Sequence, residues 1–226
     1  MALLDVAGLT MSFAEKKLYD DASFQLEKGE HMGVVGQNGA GKSTLIKILI
    51  GQVLPVAGQV KWQPHTKIGY LDQYVDISRE ITLVDFLKTA FADLYQVNDE
   101  LNQLYAQYAA SGDDSLMDRA AHLQEILDGH NFYGIDLAIE RVMTGLGLTE
   151  LGADHLVAEM SGGQRSKVIL AKLLLEQPDV ILLDEPTNYL DTAHIEWLIG
   201  YLNDYPGAAM VISHDYDFLE RVTNTI

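Results

Sequence analysis

Residues 36–43, GQNGAGKS, constrain the fold more than any other feature of the chain. They lie between an apolar strand pattern, HMGVVG, and a helix pattern, KSTLIKILIG, which Gly51 ends. The spacing G-x-x-x-x-G-K-[ST] lets the backbone N–H groups of a glycine-rich turn surround two phosphates. Lys42 would then reach the terminal phosphates, and the Ser43 hydroxyl could hold Mg²⁺. The sequence therefore predicts a strand–loop–helix unit that binds nucleotide phosphates.

Strand and helix patterns alternate along most of the chain. LLDVAGLT and ASFQLEK precede the glycine-rich loop, and GQVKW, KIGYLDQ, DVILLDEP and AAMVIS follow it as further strands. Such alternation indicates an α/β fold with a mainly parallel sheet and flanking helices. Between about residues 82 and 129 the pattern changes to long helices, broken near residues 111–114. We therefore expect an inserted helical subdomain.

Composition excludes several classes of function. The chain has 226 residues, which suits one large α/β domain or a domain with an inserted lobe. No apolar run approaches the roughly 20 residues that span a bilayer, so no membrane insertion is expected. The chain has no cysteine, which excludes disulfides and thiolate metal sites and favours a cytoplasmic protein. A net charge of −18 disfavours a grip on a nucleic-acid backbone by this surface alone.

Several polar residues follow predicted strands and are candidates for catalysis. After VILLDEP, Asp184 could bind Mg²⁺ through water and Glu185 could activate the attacking water. His214 could hydrogen-bond a terminal phosphate, and Gln73 could orient the water, although each is also an ordinary residue at a strand end. Phe13 is either a core residue or an aromatic ring that stacks on a purine.

A second glycine pair begins a helix far from the first loop, in AEMSGGQRSKVILA. Ser161 can cap this helix, whose apolar face is formed by Val168, Ile169, Leu170 and Leu173. A helix start is a natural anion site, because its free N–H groups and the positive end of its dipole point outward. The sequence thus predicts two anion sites, with Lys42 and Ser161 separated by 119 residues.

Taken in order, these motifs resemble those of the ATP-binding cassette ATPases over almost the whole chain. The motifs are Phe13, GQNGAGKS, Gln73, MSGGQ, VILLDEP, Asp191 in NYLD, and His214. The resemblance implies a P-loop NTPase fold with an N-terminal antiparallel β part. It also implies an ATP-binding core in residues 1–76 and 151–226, with a helical subdomain and arm-like insertion in residues 77–150. Met160 stands where the family usually has leucine.

The resemblance also implies the role of each motif residue, with ATP and Mg²⁺ as cofactors. The residues that would contact ATP are Phe13, Gly36, Gln37, Asn38, Gly39, Ala40, Gly41, Lys42, Ser43 and Thr44. Those that would act in hydrolysis are Glu185, His214 and Gln73, and those that would hold the metal are Ser43, Gln73 and Asp184. The signature residues Ser161, Gly162, Gly163 and Gln164 would serve the ATP of a second cassette. The two cassettes would pack head to tail and would also meet at the aspartate loop of Asp191. The second cassette would lie in a longer chain or join by dimerisation.

The wording DEPTNYLD resembles the F subfamily of these ATPases, which usually has histidine where this chain has Tyr189. The separation of 88 positions from Gln73 to Ser161 leaves room for the extra helical arm of that subfamily's first cassette. The resemblance implies a protein with two cassettes that acts on the ribosome in translation, a group that includes antibiotic-resistance proteins. The alternatives are the nucleotide-binding subunit of a membrane transporter and an assembly or DNA-repair ATPase.

The predicted arm is acidic, which bears on its partner. Residues 77–150 contain four basic and thirteen acidic side chains. An arm that grips ribosomal RNA directly should be more basic, so a protein contact or a contact through a second cassette fits better. A longer helical subdomain without a partner of its own is the alternative. The chain ends soon after His214, and we expect it to be a truncated first cassette of a longer protein.

Replacement of the loop lysine tests the phosphate site. Lys42→Ala should remove a charge-assisted contact worth at least about 1.5–3 kcal/mol, which weakens ATP binding by tenfold or more. Isothermal titration calorimetry measures this loss, and an unchanged ATP affinity would contradict the assignment.

Overall fold

The computed structural model describes residues 2–13, 16–71 and 80–226, which form two compact units. The first unit consists of Met1–Val75 with Gln177–Ile226, and the second of Asp76–Glu176. The strands are β1 (Ala2–Phe13), β2 (Lys16–Glu27), β3 (His31–Val34), β4 (Ala57–Trp62), β5 (Ile68–Tyr70), β6 (Val180–Asp184) and β7 (Ala208–Ile212). The helices are α1 (Lys42–Leu49), α2 (Leu83–Lys88), α3 (Ala92–Ser111), α4 (Ser115–Gly129), α5 (Ile135–Gly145), α6 (Gly162–Glu176), α7 (Thr192–Asn203) and α8 (Tyr216–Val222).

Two sheets make up the β structure of the first unit. An antiparallel sheet has the order β2-β1-β4, and a parallel sheet has the order β3-β7-β6-β5. In the parallel sheet Val34 and Asp184 both pair with Ile212, so β3 and β6 end at the same level on either side of β7. The predicted fold class is confirmed, with a mainly parallel sheet and an N-terminal antiparallel part.

Helix α1 lies in the core that joins the two sheets. Its buried side chains pack with apolar residues from both sheets in one cluster, which includes Leu4, Leu9, Ile46, Leu182 and Met210. Strand β7 is buried along its whole length and β6 along all but its last residue. Burial on both faces explains why these strands are continuous apolar runs rather than alternating ones. The core thus holds the start of α1 against the carboxyl edge of the parallel sheet.

The second unit contains the predicted helical insertion. Helices α3 and α4 form a hairpin at Gly112, whose φ of 69° is in the left-handed region that favours glycine. The hairpin encloses its own cluster of buried residues, Leu101, Leu104, Ala120, Leu123 and Leu127. Helix α6, from the segment 151–226 that we assigned to the ATP-binding core, contacts α2 and α5 of this unit. Among the described residues, no helix is both long and apolar enough to cross a membrane.

The hairpin core is tested by two leucines with opposite exposure. Leu127 is fully buried, whereas Leu137 is 71% exposed. Leu127→Ala should destabilise the fold by about 2–5 kcal/mol, because it removes buried methyl groups and leaves a cavity. Leu137→Ala should stay within about 0.5 kcal/mol of the parent. Urea denaturation followed by circular dichroism measures both, and equal losses would contradict the packing.

Candidate nucleotide-binding site

The predicted phosphate loop follows β3 and leads directly into α1. Gly39 and Gly41 have φ values of 74° and 102°, which L-residues with side chains rarely adopt. Helix α1 begins at Lys42 after Gly41, and no side chain caps it. Its first N–H groups therefore have no side-chain acceptor and are available to an anion. This is the geometry that the sequence predicted for residues 36–43.

Strand β2 lies against the last glycine of the loop. A Cβ atom on Gly41 would be 2.7 Å from the Tyr19 hydroxyl and 3.0 Å from Cδ1 of Leu18, so a larger residue would displace these side chains, and the φ of 102° independently favours glycine. The Tyr19 hydroxyl donates a hydrogen bond to the carbonyl oxygen of Gly41. Burial raises the pKa of Tyr19 to about 12, so the hydroxyl remains a donor at neutral pH.

Two ammonium groups converge on the loop. Nζ of Lys42 donates to the carbonyl oxygens of Gly36 at 2.8 Å and Gln37 at 3.2 Å. Nζ of Lys16, at the start of β2, donates to the carbonyl oxygen of Gly39 at 2.7 Å. Two cations and a set of backbone N–H groups thus surround the loop of a protein whose net charge is −18. This donor set suits a chain of phosphates.

The remaining catalytic candidates follow neighbouring strands of the parallel sheet. Asp184 ends β6, Glu185 comes next, and His214 follows β7 by two residues. Since parallel strands have their carboxyl ends at one edge, these residues and the phosphate loop after β3 share that edge. Gln73 lies outside the described residues. Phe13 ends β1, and its side chain also lies outside the described part of the structure.

Glu185 is held in an unusual conformation. Its φ of 52° is in the left-handed region, and its N–H donates to the carbonyl oxygen of Ile212 at 2.9 Å. Its Oε2 accepts a hydrogen bond from the backbone N–H of His214 at 3.2 Å. Its Oε1 is buried and 3.1 Å from Nε2 of His214, yet it has no partner in hydrogen-bond geometry among the described residues. A strained backbone and an unsatisfied carboxylate oxygen together mark Glu185 as a functional candidate.

The possible metal ligands fit Mg²⁺ bound together with a nucleotide. The Ser43 hydroxyl is exposed in the first turn of α1, and the Asp184 carboxylate ends β6. Within the described ranges, no group of three or more His, Cys, Asp or Glu residues could hold a metal ion. Mg²⁺ usually takes one or two protein oxygens, with phosphates and water completing its octahedron. This site therefore suits a metal that arrives with the phosphates.

The signature segment begins α6 in the second unit. The Ser161 Oγ accepts a hydrogen bond from the N–H of Gln164 at 3.3 Å, and Oε1 of Gln164 accepts one from the N–H of Ser161 at 2.8 Å. These two reciprocal bonds form a capping box. Among the described residues, Gly162 and Gly163 between them have no recorded acceptor for their N–H groups. The helix start that the sequence predicted thus leaves the two glycine amides available to an anion.

The predicted aspartate loop ends at the start of α7. Asp191 caps this helix, with its Oδ1 accepting a hydrogen bond from the N–H of His194 at 3.1 Å. The same oxygen is 2.8 Å from Nδ1 of His194, outside hydrogen-bond geometry. Sequence reasoning missed His194, Lys16 and Tyr19. No motif marks these residues, and the contacts of Lys16 and Tyr19 join residues more than 20 positions apart.

The parallel sheet and the glycine-rich loop between β3 and α1 define the class of P-loop nucleotide-binding proteins. A family model described as "ABC transporter" matches residues 19–188. The chain belongs to this ATP-binding cassette family. A solved structure of an "RNase-L Inhibitor" has the same fold, with a TM-score of 0.69 at 24% identity over 98% of this chain and 36% of that one.

Curated relatives cover nearly all of the chain. The "Uncharacterized ABC transporter ATP-binding protein YfmM" of Bacillus subtilis is 43% identical over 100% of this chain and 44% of its own length. The "Energy-dependent translational throttle protein EttA" of Escherichia coli K12 is 36% identical over 94% of this chain and 38% of its own. "ABC transporter F family member 5" of Arabidopsis thaliana is 37% identical over 97% and 32%. This chain thus spans less than half of each of these relatives, one of which is named as a member of the F family.

Proposed function

We propose that this chain is the first nucleotide-binding domain of an F-type cassette protein that binds and hydrolyses ATP with Mg²⁺ and acts on the ribosome in translation. The observation that carries the hydrolytic part is the pairing of Glu185 with His214 beside the phosphate loop. One carboxylate oxygen is fixed by a backbone N–H, and the other is buried without a hydrogen bond among the described residues. An oxygen in this state is a suitable acceptor for the proton of an attacking water.

The residues around this pair supply the other functions that phosphoryl transfer needs. Lys42 and the N–H groups at the start of α1 would hold the phosphates in line with the water. Ser43 and Asp184 would hold Mg²⁺, which neutralises charge that develops on the phosphate oxygens. His214 would hydrogen-bond the terminal phosphate, and Gln73 would orient the water and touch the metal. Phe13 would stack on the adenine.

A second cassette completes the proposed site. The capping box of Ser161 and Gln164 satisfies the helix end internally and leaves the amides of Gly162 and Gly163 for a ligand. We infer that these amides bind the terminal phosphate of ATP held by another cassette, with Asp191 near the same junction. The relatives are more than twice as long as this chain, which leaves room for that cassette in the same polypeptide.

Action in translation rests on the relatives, one of which is named a translational throttle protein. A role in translation would place the protein in the cytoplasm. The α3–α4 hairpin bears eight acidic residues and one basic residue, Arg119, which is itself paired with Glu100. A hairpin of this charge is repelled by RNA phosphates, so we propose a ribosomal contact through protein or through the second cassette.

Glu185→Gln separates ATP binding from hydrolysis. The substitution keeps the shape of the side chain and removes its basicity, so hydrolysis should fall by about a hundredfold or more while ATP binding is retained. Steady-state phosphate release and calorimetry measure the two quantities, with the change made in both cassettes of the full-length protein. A normal rate of hydrolysis would exclude Glu185 as the base.

The same variant tests the site of action. With ATP, the Glu185→Gln protein should remain in the nucleotide-bound state and sediment with ribosomes, whereas Lys42→Ala should not. Sedimentation with membranes instead of ribosomes would favour the transporter subunit.

Ser161→Arg tests whether the signature serves another cassette. The specific ATPase activity of the chain should rise with protein concentration, because turnover requires two cassettes to meet. Salt should assist by screening the self-repulsion of the −18 charge within about 10 Å at 0.1 M. Ser161→Arg should abolish this rise and leave ATP binding intact. Ser111→Arg, at the end of α3, adds the same charge as a control. An activity that is flat with concentration in all three proteins would contradict the two-cassette site.

A further inference from the structure

Strand β2 contacts the phosphate loop through two side chains that no motif includes. Lys16 donates from Nζ to the carbonyl oxygen of Gly39 at 2.7 Å, and the Tyr19 hydroxyl donates to the carbonyl oxygen of Gly41. Both acceptors belong to glycines with positive φ, at 74° and 102°. Glycine has a wide choice of backbone conformations, so these two residues are among the least constrained points of the loop.

Fixing a carbonyl group also fixes the N–H group that follows it. The peptide unit is planar and trans, so the N–H of the next residue points in the opposite direction to the carbonyl. A hydrogen bond from Tyr19 to the Gly41 carbonyl therefore directs the N–H of Lys42 away from β2. The Lys16 contact fixes the peptide between Gly39 and Ala40, whose N–H donates to the carbonyl oxygen of Gln37 at 3.1 Å, and so holds the turn of the loop that leads to Gly41. Phosphate binding by such a loop depends on the direction of its N–H groups.

The Gly41 carbonyl oxygen has a second hydrogen-bond donor, which further fixes the orientation of this peptide. It also accepts the N–H of Leu45, at 2.8 Å, within the first turn of α1. The two bonds together hold this peptide between strand and helix, and the Tyr19 ring occupies the space into which a Cβ on Gly41 would project. The raised pKa of Tyr19 keeps its hydroxyl protonated as a donor.

We propose that Lys16 and Tyr19 are positioning residues that hold the phosphate loop in its anion-binding conformation before the nucleotide arrives. This proposal rests on the proposed ATP site. Tyr19 orients a backbone N–H that would face the phosphates, and Lys16 holds the turn that precedes it, so the two residues set the affinity for the triphosphate chain and not the choice of base.

The neighbouring Lys17 provides a matched control. Its ammonium pairs with Asp20 at 2.5 Å and makes no recorded contact with the loop in the described structure. Lys16→Met and Lys17→Met remove the same charge at adjacent positions, so the bulk electrostatic change is nearly equal. Any difference between them reports the contact with Gly39.

The experiment measures binding of two probes, ATP and inorganic tripolyphosphate, by calorimetry with Mg²⁺. Lys16→Met and Tyr19→Phe should each lower the affinity for both probes by the same factor, about three- to tenfold, because a hydrogen bond that orients the loop is lost. Lys17→Met should bind like the parent, and Lys16→Arg should retain affinity because it keeps a charged donor. Thermal unfolding midpoints show whether each variant is folded. If Tyr19→Phe is unstable, the proposal is tested by comparing the affinities of Lys16→Met and Lys17→Met, since both lysines are exposed.

The proposal is overturned if Lys16→Met binds both probes as tightly as Lys17→Met does. It is also overturned if Lys16→Met lowers the affinity for ATP but not for tripolyphosphate. Lys42→Ala, measured in the same experiment, distinguishes failure of the proposed ATP site from failure of the positioning role alone. If Lys42→Ala also binds ATP normally, the proposed ATP site itself is wrong. If Lys42→Ala loses affinity while Lys16→Met does not, only the positioning role is excluded.

Discussion

The register of three parallel strands determines where the phosphate loop, Asp184, Glu185 and His214 lie. Because Val34 of β3 and Asp184 of β6 both pair with Ile212 of β7, the three strands end at one level. The loops that follow them therefore begin side by side, although their sequences are far apart. Successive residues of a strand face opposite sides of the sheet, so a slip of one residue would turn the Asp184 carboxylate to the other side. The buried apolar strands β6 and β7 specify this register through the core and not through the polar site itself.

The acidity of the chain and its affinity for an anion are compatible because they act over different distances. Repulsion from exposed carboxylates falls off over about 10 Å at 0.1 M salt. The loop, in contrast, would offer its N–H groups to a phosphate at hydrogen-bonding distance, where contacts with charged ligands are strongest, and the ammonium groups of Lys16 and Lys42 lie on its carbonyl oxygens. Local donors therefore outweigh a net charge of −18 for a small ligand. RNA at the α3–α4 hairpin would meet the carboxylates of that hairpin, so the same compensation does not extend to it.

How far the sequence predicts the structure depends on how local each feature is. The strand–loop–helix around Lys42, the helix break at Gly112 and the cap by Ser161 are set by neighbouring residues, and periodicity or motif spacing was sufficient for them. The order β3-β7-β6-β5 and the contact of Lys16 with Gly39 depend on which distant segments pack together, which no local pattern encodes. The left-handed backbone of Glu185 was also not predictable, since that residue type seldom adopts it. The roles of all the candidate site residues stay predictions, and Gln73 and the Phe13 side chain lie outside the described residues.

Two different solutions to the same physical problem appear in the two glycine segments. In both proposed anion sites, a helix start would present free N–H groups to the anion without the usual loss of stability at an uncapped end. At α1 no side chain caps the helix, and the preceding peptide is held by Tyr19 from a neighbouring strand. At α6 the capping box of Ser161 and Gln164 holds the helix end from within its own first turn. The first solution ties its anion site to the sheet of the first unit. The second holds its helix end through residues of its own first turn, which suits the proposed binding of a ligand held by another cassette.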